Sequence, residues 1–104
     1  MAKPILPKFG FYYHYKHDPK GPFNNYSYEV VGIARDTEDK TFSVLYRPLY
    51  ENDWFKPADY QSRPLDMFME DVTKDGKTFP RFTQITDEKV LERLREIRKE
   101  MYYD

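Results

Sequence analysis

The sequence predicts a mainly β protein: a small SH3-like antiparallel barrel of about five strands, followed by one C-terminal α-helix. Three observations carry that expectation. Aromatic residues fill 18% of the 104 positions, with 10 Tyr and 8 Phe, and such side chains favour pleated, half-buried surfaces. Short β-favouring runs alternate with clusters of Gly, Pro, Asn and Asp, and no strand–helix–strand alternation announces a parallel nucleotide-binding sheet. From Thr86 onward the apolar period changes to that of a helix. One domain is expected, because separate cores normally need on the order of 100 residues each.

Residues 1–8, with Pro4 and Pro7, read as an extended arm, and residues 9–85 as the barrel. The run from Phe9 to Tyr15 is the first strand. Its alternation places Phe11, Tyr13 and Tyr15 on one face and Tyr12, His14 and Lys16 on the other, so that one set fills the core while the other is free to form a surface. Asp18–Asn25 is turn chemistry throughout. Tyr28–Arg35 is the second strand, with Gly32 marking a bulge or bend. Asp36–Lys40 is a polar hairpin loop. In Thr41–Tyr50, Phe42, Val44 and Tyr46 share a face, and Pro48 ends the strand or holds it at an edge. Glu51–Pro64 reads as a long irregular segment, Leu65–Val72 as a strand, Lys74–Lys77 as a tight Asp-Gly turn, and Thr78–Phe82 as the returning strand.

Residues 86–104 form the helix. Val90, Leu94, Ile97 and Met101 recur at steps of four, three and four and make one apolar stripe. Thr86 or Asp87 can cap its start, and Glu92/Arg95 and Glu96/Lys99 add weak ion pairs. The stripe must cover either the barrel or another chain, which makes those four residues the candidate contact of a homo-oligomer.

The totals restrict function. Net charge is −1, from 17 basic and 18 acidic side chains, which lowers the expectation of duplex binding, where phosphate neutralisation supplies most of the affinity. The absence of cysteine removes disulfides, thiol catalysis and thiolate metal sites. The start, MAKPILPKFG, holds no apolar run suited to a signal sequence, and nothing approaches a membrane span, so a cytoplasmic protein is expected.

Several phrases taken together resemble a bacterial family known as domain of unknown function 1653. These are YYHYK (Tyr12–Lys16), YEVVGIARDTED (Tyr28–Asp39), VLYRPLY (Val44–Tyr50), RPLDMF (Arg63–Phe68) and DGKTFPRF (Asp75–Phe82). The resemblance runs from Phe11 to Ile85 and implies an SH3-type barrel; it implies no particular activity, since none is established for the family, and no cofactor is expected. His17 stands where the family turns with glycine, and Pro48 replaces a small residue. Trp54 lies well upstream of the Arg-Pro-Leu block that a tryptophan normally adjoins.

His14, His17 and Asp18 have the chemistry of a metal site. A three-apart pair on a strand sends its rings to opposite faces, so no metal is expected. Ser27, Ser43 and Ser62 occur in no nucleophile motif, and Asp66, Glu70 and Asp71 read as solvated carboxylates rather than catalytic ones. No enzyme is expected. Arg47 sits among apolar strand residues, Arg63 precedes a proline, and Arg81 interrupts TFPRF. Each either pairs internally, with Asp66 or Glu70 the nearest candidates, or holds a ligand phosphate or carboxylate. The expected function is therefore a non-enzymatic binding module. Tyr12, His14, Lys16, Tyr46, Arg47, Tyr50, Trp54, Arg63 and Arg81 are its candidate ligand-binding residues, for a protein peptide, a single-stranded nucleic acid or a small anionic ligand. The alternatives are a nucleotide or metabolite pocket and a structural role for the helix.

Overall fold

A computed structural model describes residues 5–51 and 60–102. Its strands are β1 (Gly10–His14), β2 (Ser27–Arg35), β3 (Phe42–Pro48) and β4 (Gln61–Pro64), then β5 (Asp71–Lys74), β6 (Lys77–Pro80) and β7 (Phe82–Gln84). A single helical turn, α1 (Leu65–Phe68), separates β4 from β5, and the long helix α2 (Glu88–Tyr102) follows β7. Five strands form one antiparallel sheet in the order β4-β3-β2-β1-β7, while β5 and β6 pair only with each other. The expected closed barrel is thus an open sheet among the described residues, with β4 and β7 as its edges.

Local chemistry accounts for the turns. Val30 pairs with Tyr46 and Gly32 with Leu45, so Val31 is the extra residue of a bulge at the expected place; a bulge bends and twists the sheet. Asp36 Oδ1 accepts the N–H of Glu38 at 2.8 Å and of Asp39 at 3.1 Å, which organises the loop between β2 and β3. Asp75 and Gly76 have φ of 54° and 76°. Two consecutive positive values are what a two-residue hairpin turn requires, and Asp-Gly tolerates them.

Three assignments change. Leu65–Val72, expected as one strand, begins as α1 and becomes a strand only at Asp71. Leu65 and Phe68 are both buried; their three-residue spacing suits a helical turn, and Pro64 ahead of it needs no donor there. The second change is β4, inside a segment read as irregular. Gln61–Pro64 carries no apolar alternation, and β3 recruits it as an edge strand through main-chain pairing. The expected strand Thr78–Phe82 is divided at Arg81, whose N–H bonds the Glu70 carbonyl at 3.0 Å.

Both faces of β1 are covered. Tyr12 packs on one side with Tyr28, Val30, Val44, Tyr46, Leu65, Phe68 and Phe82. Phe11 packs on the other with Leu49, Ile85 and Leu94, joined by Tyr13, Val90 and Ile97. Val90, Leu94 and Ile97 of the helical stripe accordingly pack against this chain's own core. Leu94 is fully buried, and burying a side chain of this kind is worth about 1.5–3 kcal/mol. Asp87 Oδ1 caps α2, accepting the N–H of Lys89 at 2.9 Å and of Val90 at 3.4 Å. At the other end the Tyr102 hydroxyl donates to the Pro48 carbonyl at 2.6 Å. No helix among the described residues is long and apolar enough to cross a membrane.

Candidate functional site

The face of the sheet opposite α2 gathers rings around His14. Its imidazole lies 5.0 Å from Phe82, 4.5 Å from Tyr15, 5.8 Å from Tyr26 and 6.5 Å from Tyr28, centroid to centroid. The strand register brings them together, since His14 pairs across β1–β7 with Phe82. Beneath lie Tyr28 and Tyr46, both buried and edge-to-face at 5.4 Å. The Tyr28 and Tyr50 hydroxyls share a 2.5 Å hydrogen bond. Burial, and then that bond, raise the Tyr28 phenol above its ordinary range.

Arg63, on the edge strand β4, enters this cluster from the side. Its Nε donates to the Tyr46 hydroxyl at 3.4 Å, and its guanidinium lies 5.6 Å from the Phe82 ring. Among the described residues it has no carboxylate partner. The local field is positive. Burial, followed by Arg63, Lys16 and Arg81, lowers the His14 pKa to about 4, so the ring is neutral near pH 7. His14 Nδ1 accepts the Lys16 N–H at 3.2 Å, which leaves the proton on Nε2.

Tyr26 stands apart conformationally. Its φ is 52°, a left-handed value that a bulky residue rarely adopts. This backbone holds a 37%-exposed ring 5.8 Å from both His14 and Tyr50. Strained residues of this kind cluster at ligand clamps and switches.

Of the sequence-derived candidates, His14, Tyr46, Tyr50 and Arg63 converge here, with Lys16 exposed at the margin. Arg81 contributes to the same field but pairs with Glu70 at 3.2 Å; its Nε is buried with no hydrogen-bond partner among the described residues. Two candidates lie elsewhere. Tyr12 is core, its hydroxyl bonded to the Lys8 carbonyl at 2.7 Å. Arg47 is on the α2 face, paired with Glu29 at 3.1 Å and stacked on Tyr102 at 4.0 Å. Alternation along β3 puts it opposite Tyr46, and a buried guanidinium needs a carboxylate. Trp54 falls outside the described residues. The reading missed Tyr26, Tyr28 and Phe82. Alternation gives Tyr28 the same face as Val30, but nothing in Asn24-Asn25-Tyr26 signals a left-handed tyrosine.

The two histidines point apart. His17 stacks on Tyr13 at 3.7 Å and donates through Nδ1 to the Asn25 carbonyl at 2.7 Å, away from the His14 cluster. Among the described residues no group of three His, Asp or Glu side chains is placed to hold a metal ion. The site can offer ring faces, hydroxyls and a guanidinium with spare donors. Those groups suit a planar anion.

Comparison with known proteins gives two matches. The sequence profile of a family described as protein of unknown function, DUF1653, matches residues 10–84. A crystal structure of a DUF1653 protein from Bordetella bronchiseptica is similar, with a TM-score of 0.56 at 28% identity, covering 76% of this chain and 91% of that one. No curated protein matches the chain.

Proposed function

We propose a binding role for this chain, which belongs to DUF1653, a family of proteins of unknown function. It is a non-enzymatic module that captures a small anionic ligand with a planar ring, of the nucleotide class, on the face formed by His14, Tyr26, Tyr50 and Arg63. The open sheet is read as an SH3-like barrel left unclosed, in a cytoplasmic bacterial protein.

The observation that carries this reading is Arg63. It is half-buried against Tyr46 and Phe82 and has no carboxylate partner among the described residues. A guanidinium in such surroundings favours a bidentate anion, which supplies the missing charge. The exposed part of Tyr26, 5.8 Å from His14, and the half-buried Tyr50, 5.6 Å from Tyr28, supply ring faces in the same cluster on which a base can stack.

Calorimetric titration with adenosine monophosphate and with inorganic phosphate tests the reading. Arg63→Met keeps an apolar stem and removes the charge, and should weaken nucleotide binding by about 10–100-fold. Phosphate alone should bind more weakly than the nucleotide, because it cannot stack. Failure of the nucleotide to bind at millimolar concentration, phosphate binding as tight as the nucleotide's, or binding that ignores Arg63→Met, defeats the proposal. Tight binding of single-stranded oligonucleotides with a steep salt dependence would point to nucleic acid as the ligand instead.

A further inference from the structure

Among the described residues of the N-terminal arm, burial is concentrated in one. Pro7 is buried, while Ile5, Leu6 and Phe9 are 81%, 45% and 63% exposed. Pro7 forms one wall of a groove of about 350 Å³, which Tyr12, Phe68, Met69, Phe82 and Asp71 also line. Phe68 and Phe82 stack at 4.2 Å, and Tyr12 meets Phe68 edge-on at 5.6 Å. The Tyr12 hydroxyl donates to the carbonyl of Lys8, the residue directly after the proline.

Aromatic walls against a proline ring, with a tyrosine hydroxyl on the neighbouring main-chain carbonyl, are the chemistry that recognises proline-bearing extended peptides. Such segments lose little entropy on docking, and their carbonyls are free to accept. The space beside Pro7 falls within the range of ligand pockets, so the described part of the arm does not fill the groove. Met69, 43% exposed on its lip, supplies an adaptable apolar contact. The Asp71 carboxylate favours a basic neighbour, and in the arm itself the proline is followed by a lysine.

We infer that this groove is a receptor for an extended partner peptide carrying a proline followed by a basic residue, with the arm's own Pro7 as a tethered competitor. The groove shares the Phe82 ring with the Arg63 cluster but none of that cluster's other residues, and the inference stands without the nucleotide reading.

The test is a fluorescence-anisotropy titration of a labelled peptide, AKPILPKF (the sequence of residues 2–9), against the full-length protein. A tethered competitor acts at an effective concentration near millimolar, so full-length Pro7→Ala should bind the peptide about 3–10-fold tighter than wild type. A peptide with its second proline changed to alanine should lose binding to both. Tyr12→Phe removes one hydroxyl donor and should weaken binding about fivefold. Equal affinity of wild type and Pro7→Ala, or of the proline and alanine peptides, overturns the inference. So does wild-type self-association that Pro7→Ala abolishes, which would assign the seat to the arm of a second copy.

Discussion

The guanidinium of Arg47 lies 4.0 Å from the centroid of the Tyr102 ring, joining the third strand to the last turn of α2. Glu29 sits between the two elements. It accepts from Arg47 Nε at 3.1 Å and from Arg98 at 2.7 Å, and the Arg47 and Glu29 side chains are only 9% and 12% exposed. Removing one partner of a largely buried pair leaves the other charge uncompensated, at a cost of about 3–5 kcal/mol when burial is complete. Arg98 remains to neutralise Glu29 in part. Arg47→Met should therefore destabilise the protein by about 2–3 kcal/mol in urea unfolding, and ligand binding at Arg63 should be unchanged.

Leu94 gives a second, independent measure of helix docking. It is fully buried against Phe11, Leu49 and Ile85. Leu94→Ala should cost about 2–4 kcal/mol through lost transfer energy and a residual cavity. If the stripe served chiefly as an intermolecular contact, sedimentation would register a change in mass before unfolding registered a change in stability.

His14 makes stability depend on pH in a defined direction. Its folded-state pKa is lowered to about 4 from an ordinary 6.5, so as pH falls the unfolded chain takes up the proton first. The contribution is complete above about pH 6.5 and is lost as pH falls through 6.5 towards 4. The ring is only half-buried, so solvent screening reduces the effect to about 1 kcal/mol. His14→Phe should flatten the pH profile of the unfolding midpoint between pH 6.5 and 4. An NMR titration of the imidazole with a midpoint near 6.5 would remove the premise.

Tyr26 separates backbone strain from side-chain function. At a φ of 52° glycine is unstrained, whereas alanine retains a penalty of about 1 kcal/mol. Tyr26→Gly should be more stable than Tyr26→Ala by that amount in thermal unfolding. Both variants should lose nucleotide affinity to a similar degree, since both lack the ring. Equal stabilities would mean that the loop relaxes around the substitution.

Much of this architecture is readable residue by residue. Gly32 announces the bulge, Asp75-Gly76 the tight turn, Pro48 the end of β3, and the spacing of Val90, Leu94 and Ile97 the helix face. Each of those signals is local, because it rests on the backbone freedom or periodicity of a few neighbours. The strand β4 has no such signal, since Gln61-Ser62-Arg63 is defined only by the main chain of β3 beside it. The helical turn at Leu65–Phe68 is also a tertiary decision, taken because both apolar side chains reach the core from one side.

For the candidate site the division is sharper. The sequence by itself determined the inventory: an excess of tyrosines, three candidate arginines, and alternating faces on β1 and β3. It could not say which arginine meets a carboxylate. Arg47, Arg63 and Arg81 sit in similar local contexts, yet Glu29 reaches the first, Glu70 the third, and no carboxylate among the described residues the second. That outcome depends on strand order and register, which bring together residues far apart in the chain. A charge pair requires a separation of a few ångströms, and only the folded arrangement of β2, β3 and β4 decides which guanidinium meets no carboxylate among the described residues.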